Sequence, residues 1–193
     1  LLYAAEDEGK QLHIDFGADK CQLLITAKPG KMRQTFDILK SEPGILTFYG
    51  QPVTVIQPGD HYIHLGVPQA PVKQSKIAVE YRSQKGMDMA YSLQGTTKNA
   101  LLGINPVNNK FMINCYISHG FTYGLDTIDI NPSDLDLLET KFRSVLRSMQ
   151  SLSPSTAGPA IYLMAGVLPA VAERDIQIMR LVGQLAICSR DLQ

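Results

Sequence analysis

Asn131-Pro132-Ser133-Asp134-Leu135-Asp136-Leu137-Leu138-Glu139-Thr140-Lys141-Phe142-Arg143-Ser144-Val145-Leu146-Arg147-Ser148-Met149-Gln150 is the stretch that decides the fold. Leu135, Leu138, Phe142, Val145, Leu146 and Met149 fall on one stripe at the helical period, so one face must be buried against neighbours. Asn131-Pro132-Ser133 reads as its start, because proline fits the first helical turn, where an N–H has no partner anyway. The spacing predicts a helix from Asp134 to Gln150. Downstream, a short helix is expected over Ala157–Ala165. A longer one, Ala170–Leu192, carries Ile178, Leu181, Val182, Leu185 and Cys188 on one face. Upstream, Asn105-Pro106 repeats the start signal for a helix reaching Leu125, and Lys73–Leu102 reads as a long helix weakened by Gly86 and Gly95. Tyr91, Tyr116, Tyr123 and Tyr162 fall in these helices and are expected in the core.

Before Val67 the pattern changes to strand formers punctuated by glycine and proline. Gln11–Phe16, Cys21–Thr26, Ile45–Tyr49, Pro52–Gln57 and His61–Val67 read as strands, Met32–Lys40 as a short helix and Leu1–Lys10 as the end of another. The expected class is α+β: a truncated antiparallel sheet in residues 1–70, then an α-helical bundle in residues 71–193. So few strands cannot bury both faces of a sheet, as expected of one cut on its upstream side. Leu1 in place of methionine likewise reads as the start of a piece.

Of 193 residues, 45% are hydrophobic and 19% charged, a composition that forms a buried core. Lysine plus arginine balance aspartate plus glutamate at 18 each, so no global field draws the chain to nucleic acid, membrane or acidic ligands. Locally, Lys73, Lys76, Arg82, Lys85, Lys98 and Lys110 face only Glu80 and Asp88 in sequence, a basic run suited to phosphates. Cys21, Cys115 and Cys188 lack pairing or metal-ligand spacing, and no apolar run spans a bilayer, so an intracellular protein with no membrane contact is expected. His61 and His64, three apart in a strand, point to opposite faces and cannot share a metal. No nucleophile–base order, P-loop or dinucleotide fingerprint occurs, which leaves a small independent enzyme without a catalytic constellation.

Several ordered stretches carry a family resemblance. Leu138-Glu139, then Leu146-Arg147-Ser148-Met149-Gln150-Ser151-Leu152, then Ala160-Ile161-Tyr162-Leu163-Met164-Ala165-Gly166-Val167-Leu168-Pro169 resemble the thumb signature of non-LTR retrotransposon (LINE-type) reverse transcriptases. Ile104-Asn105-Pro106 and Tyr123-Gly124-Leu125-Asp126 are similar to further family motifs. His13–Lys20 resembles the family's motif D, and His61-Tyr62-Ile63-His64-Leu65-Gly66-Val67 its motif E hairpin. The matches span about residues 60 to 185, with motif D upstream. One departure is Ser155, which stands where the family has an arginine.

The resemblance implies the end of a polymerase palm (residues 1–70) followed by a helical thumb (71–193). It implies Lys20 as the general acid that protonates the leaving pyrophosphate. Leu65 and Gly66 would be the primer grip. Lys73, Lys76, Arg82, Lys85, Lys98, Arg143 and Arg147 would contact an RNA template and DNA primer held as an RNA–DNA hybrid. Upstream palm and fingers of the same polyprotein would supply the aspartates that hold Mg2+, the intact family enzyme's metal. Leu2-Tyr3-Ala4-Ala5-Glu6-Asp7 does not replace them: its carboxylates fall one residue late, and too little chain separates Tyr3 from Lys20. With no metal ligands and no cofactor of its own, this chain alone is expected not to polymerise. The rival expectation is a degenerate or host-adopted helical scaffold that docks a partner and has no nucleic-acid role.

Overall fold

A computed structural model describes residues 11–12, 21–25, 29–41, 46–57, 59–98 and 110–190. The chain is α+β, mostly helical with small sheets, and divides into two compact units, Leu1–Gln74 and Ser75–Gln193. The expected elements Leu1–Lys10 and nearly all of Gln11–Phe16 lie outside the described residues, as do residues 99–109 with the Asn105-Pro106 start.

In the first unit, β1 (Gln22–Leu23), α1 (Pro29–Ser41), β2 (Thr47–Phe48), β3 (Gln51–Pro52), β4 (Thr54–Val55), β5 (Tyr62–His64) and β6 (Val67–Gln69) follow in order. They form three two-stranded ladders: β1 with β4 in parallel, β2 with β3 and β5 with β6 antiparallel. This corrects the expectation of one antiparallel sheet, because the described strands are two or three residues long and one pair is parallel. Pro52 and Pro68 sit inside the hairpin ladders and lack the N–H a longer ladder would need. Phe36, Phe48 and Ile56 are buried. Gln74 ties the exit of β6 down, donating from Nε2 to the Pro68 carbonyl at 2.6 Å and accepting from the Ala70 N–H at 2.5 Å.

Most of α2 (Gln74–Lys98) belongs to the second unit. Residues 110–112 are helical and lead into a π-helical turn, Ile113–Ser118, then α3 (His119–Thr122) and a 3-10 turn, Leu125–Thr127. Three helices complete it: α4 (Pro132–Met149), α5 (Gly158–Ala165) and α6 (Ala170–Arg190). The start signal of α4 holds: Asn131 is extended at φ −65°, ψ 147°, with proline at the first position. Leu138, Phe142, Val145 and Leu146 are buried as the stripe requires. Ser75 clamps this start to the first turn of α2: its hydroxyl donates to Asp134 Oδ2 and accepts from the Asn131 N–H at 3.0 Å.

The core turns on a close crossing. A Cβ built on Gly86 of α2 would lie 2.1 Å from Phe121 Cδ2, and one on Gly120 would lie 2.7 Å from Met89 Sδ. Phe121 meets Phe142 of α4 edge-on with centroids 5.1 Å apart, and Phe142 stacks on Tyr162 of α5 at 6.4 Å. The face of α2 that is buried is therefore small: Ser75, Ala78, Val79, Ser83, Gly86 and Ala90, together with Arg82. Its larger side chains go elsewhere, and Tyr91 is 59% exposed. The core placement expected for Tyr91, Tyr116 and Tyr123 is corrected accordingly, while Tyr162 is half-buried against Phe142. Tyr116 is 56% and Tyr123 39% exposed, and Tyr123 caps α3 rather than lying within it.

This crossing makes two helix-interior glycines behave oppositely. Gly86→Ala should lower stability by about 1–3 kcal/mol, because overpacking against Phe121 outweighs the gain in helix propensity. Gly183→Ala in α6, where an added Cβ meets nothing within 4 Å, should raise stability by about 1 kcal/mol. Urea denaturation of the two variants reads both signs. A stabilising Gly86→Ala would mean the crossing is looser than described.

Candidate nucleic-acid interface

Leu65 and Gly66 form the two-residue turn between β5 and β6, with His64 paired to Val67 across it. Both turn residues have positive φ, 48° and 79°. Such turns match the twist of a hairpin, and asparagine or glycine is their usual first residue. Leucine there carries a steric cost of roughly 1–2 kcal/mol, since its Cβ crowds the following carbonyl. It is also 79% exposed. Lys73, in the same unit, is exposed and likewise held at positive φ, 56°.

The other expected cations are dispersed. Lys76 and Lys85 are both exposed. They stand nine residues apart on α2, which at about 100° per residue puts them half a turn out of phase. Lys76 pairs with Glu80 at 3.7 Å. Arg82 is only 7% exposed, with its guanidinium carbon 4.6 Å from the centroid of Tyr123 and 5.7 Å from that of Tyr81. Burial, opposed by the two tyrosines, pulls its pKa below the usual arginine value. The basic run is thus not one face, and Arg82 offers little surface to a phosphate. Lys98 is the last residue of α2, and Lys20 lies outside the described residues.

On α4, Arg147 is half-buried and donates from Nη2 to the Thr156 carbonyl at 3.1 Å, holding the loop that contains Ser155. Ser155, at the family's arginine position, is exposed and shares a 2.8 Å hydrogen bond with the Ser153 hydroxyl. Arg143 lines a cleft of about 510 Å³ with Glu139, Pro159, Tyr162 and Val171. Glu139 Oε2 accepts from the Val171 N–H at 3.2 Å, supplying the opening turn of α6 with an acceptor from another helix. Its Oε1 is buried with no hydrogen-bond partner among the described residues. Burial raises the Glu139 pKa, against the downward pulls of the Val171 N–H, the Arg143 charge and the Ala170 N–H.

A cluster that the sequence reading did not select surrounds Arg82. Lys85 Nζ is 5.7 Å from the Tyr81 centroid, and His119 meets Tyr123 with rings 5.1 Å apart and tilted by 59°. The segment bearing Tyr123 is fixed from α6. Arg174 donates to the carbonyls of Leu125 at 3.0 Å and Ile128 at 3.1 Å, and Gln177 donates to the Thr122 hydroxyl at 3.1 Å. The one available sequence signal was the four-residue spacing of His119 and Tyr123, which faces their rings together on a helix.

Among the described residues, no group of three or more His, Cys, Asp or Glu could hold a metal ion, and Glu6 and Asp7 lie outside them. No described helix is long and apolar enough to cross a membrane. No family model matches the chain, nor does any curated protein or solved structure.

Glu139 gives a pH-dependent test. A carboxyl whose folded pKa is raised contributes stability that is fully present below its unfolded pKa, about 4.3, and lost as pH rises through the folded value. Glu139→Gln keeps an acceptor for Val171 and abolishes that loss. Its stability relative to the parent should increase from pH 4 to pH 7 in urea titrations. A difference that stays flat would show that burial does not perturb this carboxyl. Glu139→Ala removes the acceptor and should cost about 0.5–2 kcal/mol.

Proposed function

We propose that this chain is the palm end and thumb of a non-LTR retrotransposon reverse transcriptase, which holds an RNA–DNA template–primer hybrid without carrying out the metal-dependent chemistry. The observation that supports this reading best is the β5–β6 hairpin. The stretch resembling motif E forms a tight turn whose tip is an exposed leucine in a left-handed conformation. Backbone strain of this kind persists where the surroundings over-determine it, and it clusters at ligand clamps. Glycine beside it leaves room for a strand backbone to approach. Phosphate contacts position a duplex without reading its sequence. Here they would come from Lys73, Lys85 and Arg143, with Lys76 on the other side of α2. Lys20 keeps the general-acid role that the resemblance gives it.

Binding of a labelled RNA–DNA hybrid should be independent of sequence and weaken with salt. A few phosphate contacts correspond to a log–log slope of roughly −2 to −4. Affinity that does not change between low and physiological salt would overturn the phosphate grip. Leu65→Gly should relieve strain and stabilise the chain by about 1 kcal/mol. If the leucine is buried against the primer, the same change should weaken hybrid binding about tenfold. Stabilisation without loss of affinity would remove Leu65 from the interface. Primer extension above background by the 193-residue chain alone would overturn the assignment of chemistry to the upstream palm.

The second reading, a helical docking scaffold, is favoured by α6. Met179, Val182, Leu185 and Ile187 are 59–74% exposed, and no charged residue occurs between Arg180 and Arg190. Exposed apolar surface of this kind marks interaction sites. Concentration-dependent self-association in sedimentation equilibrium, abolished by Leu185→Glu, in a chain that binds no hybrid would support it over the nucleic-acid reading.

A further inference from the structure

We propose that Ser153, in the loop between α4 and α5, is a phosphorylation site for a proline-directed protein kinase, and that Arg147 and Ser155 hold the phosphate it receives. The inference is independent of the nucleic-acid reading. Ser153, Pro154 and Ser155 are all exposed. They form a β-turn with Thr156, whose N–H donates to the Ser153 carbonyl at 3.0 Å, and proline takes the second position, as such turns favour. Pro154 has no N–H of its own, the feature by which proline-directed kinases select the residue after the acceptor serine. The charge around the turn also suits an incoming dianion. Between Glu139 and Glu173 the chain carries no acidic residue, and its charged residues there are Lys141, Arg143 and Arg147.

Donors for the phosphate are already in place. The Ser153 hydroxyl accepts from the Ser155 N–H at 3.3 Å and shares a 2.8 Å hydrogen bond with the Ser155 hydroxyl. Arg147 is bound to the same turn through the Thr156 carbonyl, and its Nε is buried with no hydrogen-bond partner among the described residues. At the loop's exit, a Cβ built on Gly158 would lie 3.5 Å from Arg143 Nη1, so a second guanidinium borders the loop. In the reaction the Ser153 Oγ forms a bond to the γ-phosphorus of a nucleoside triphosphate as the bond to the β-phosphate oxygen breaks. The hydroxyl proton passes to the kinase's base, and a nucleoside diphosphate leaves. The product adds a charge of about −1.5 to −2 and three acceptor oxygens, which an arginine and a turn N–H tie down through charge-assisted bonds. The phosphate then fastens the turn to α4.

The test incubates the folded 193-residue chain with a proline-directed kinase and ATP, then reads intact mass, fragment masses and phosphorus NMR. One phosphoryl group should be taken up, at Ser153, and Ser153→Ala and Pro154→Ala should take up none. The second pKa of the phosphate should fall below its usual value of about 6, because the arginine favours the dianion. Arg147→Gln should return it to that value. Ser155→Ala, an exposed change that leaves the core intact, should move it part of the way. No uptake by the folded chain would overturn the site, whether or not a peptide of residues 148–158 is modified alongside it. Uptake at Ser151 or Ser155 in place of Ser153 would overturn it too. Phosphate on Ser153 whose pKa stays at the usual value in the parent and both variants would keep the acceptor and remove the holding role of Arg147 and Ser155.

Discussion

The second unit depends on the absence of a side chain at Gly86. Phe121 occupies the space a β-carbon would take, which brings α3 against the backbone of α2. From Phe121 the contact passes to Phe142 and then to Tyr162, so a single row of rings links α2, α3, α4 and α5. Close approach of helix backbones requires small residues on the contact face, and α2 supplies them at helical spacing from Ser75 to Ala90. The cost of glycine in a helix, roughly 1 kcal/mol, is repaid by burying two aromatic rings that could not otherwise reach one another.

The same crossing explains what could and could not be read from the sequence. The α4 stripe was legible because its buried residues are large and apolar and its start is marked by Asn131-Pro132. α5 and α6 were legible for similar reasons, with proline near the start of each. α2 was legible as a helix but not in its orientation. Its buried face is made of serine, alanine and glycine and even includes Arg82, so hydrophobicity points to the wrong side. Tyr91 consequently lies outside the core. Tyr116 and Tyr123 escaped for a different reason. The π turn and the break after Thr122 depart from regular helical phase, which a fixed period cannot anticipate.

The strands were legible as strand-forming segments but not as a sheet. Runs of five to seven residues were expected, and the ladders observed are two or three residues long. Gly66 interrupts the His61–Val67 run and Pro52 opens another, and periodicity over so few positions does not set a partner. Long-range pairing such as β1 with β4 depends on tertiary contacts that local sequence does not encode. The tight turn at Leu65-Gly66 was implied only by the resemblance to a motif E hairpin; the strand expected over His61–Val67 runs straight through it and is corrected to two strands, Tyr62–His64 and Val67–Gln69. The strain at Leu65 was not legible, because leucine gives no sign of a left-handed backbone.

With 18 positive and 18 negative charges, this chain has no net field to draw a polyanion toward it. The basic run on α2 does not make up for that, since helical phase sends Lys76 and Lys85 to opposite sides and burial withdraws Arg82. On the proposed reading, affinity for nucleic acid would have to come from short-range contacts at fixed positions, where geometry replaces concentration of charge. Two places break a local rule: Leu65 is a leucine where glycine or asparagine would be less strained, and Arg82 is a cation buried against the Tyr123 ring. Arg82 is buried with its guanidinium 4.6 Å from the Tyr123 ring centre, so the contact this cation makes is with aromatic rings, and helical spacing alone cannot tell such a residue from a solvated one.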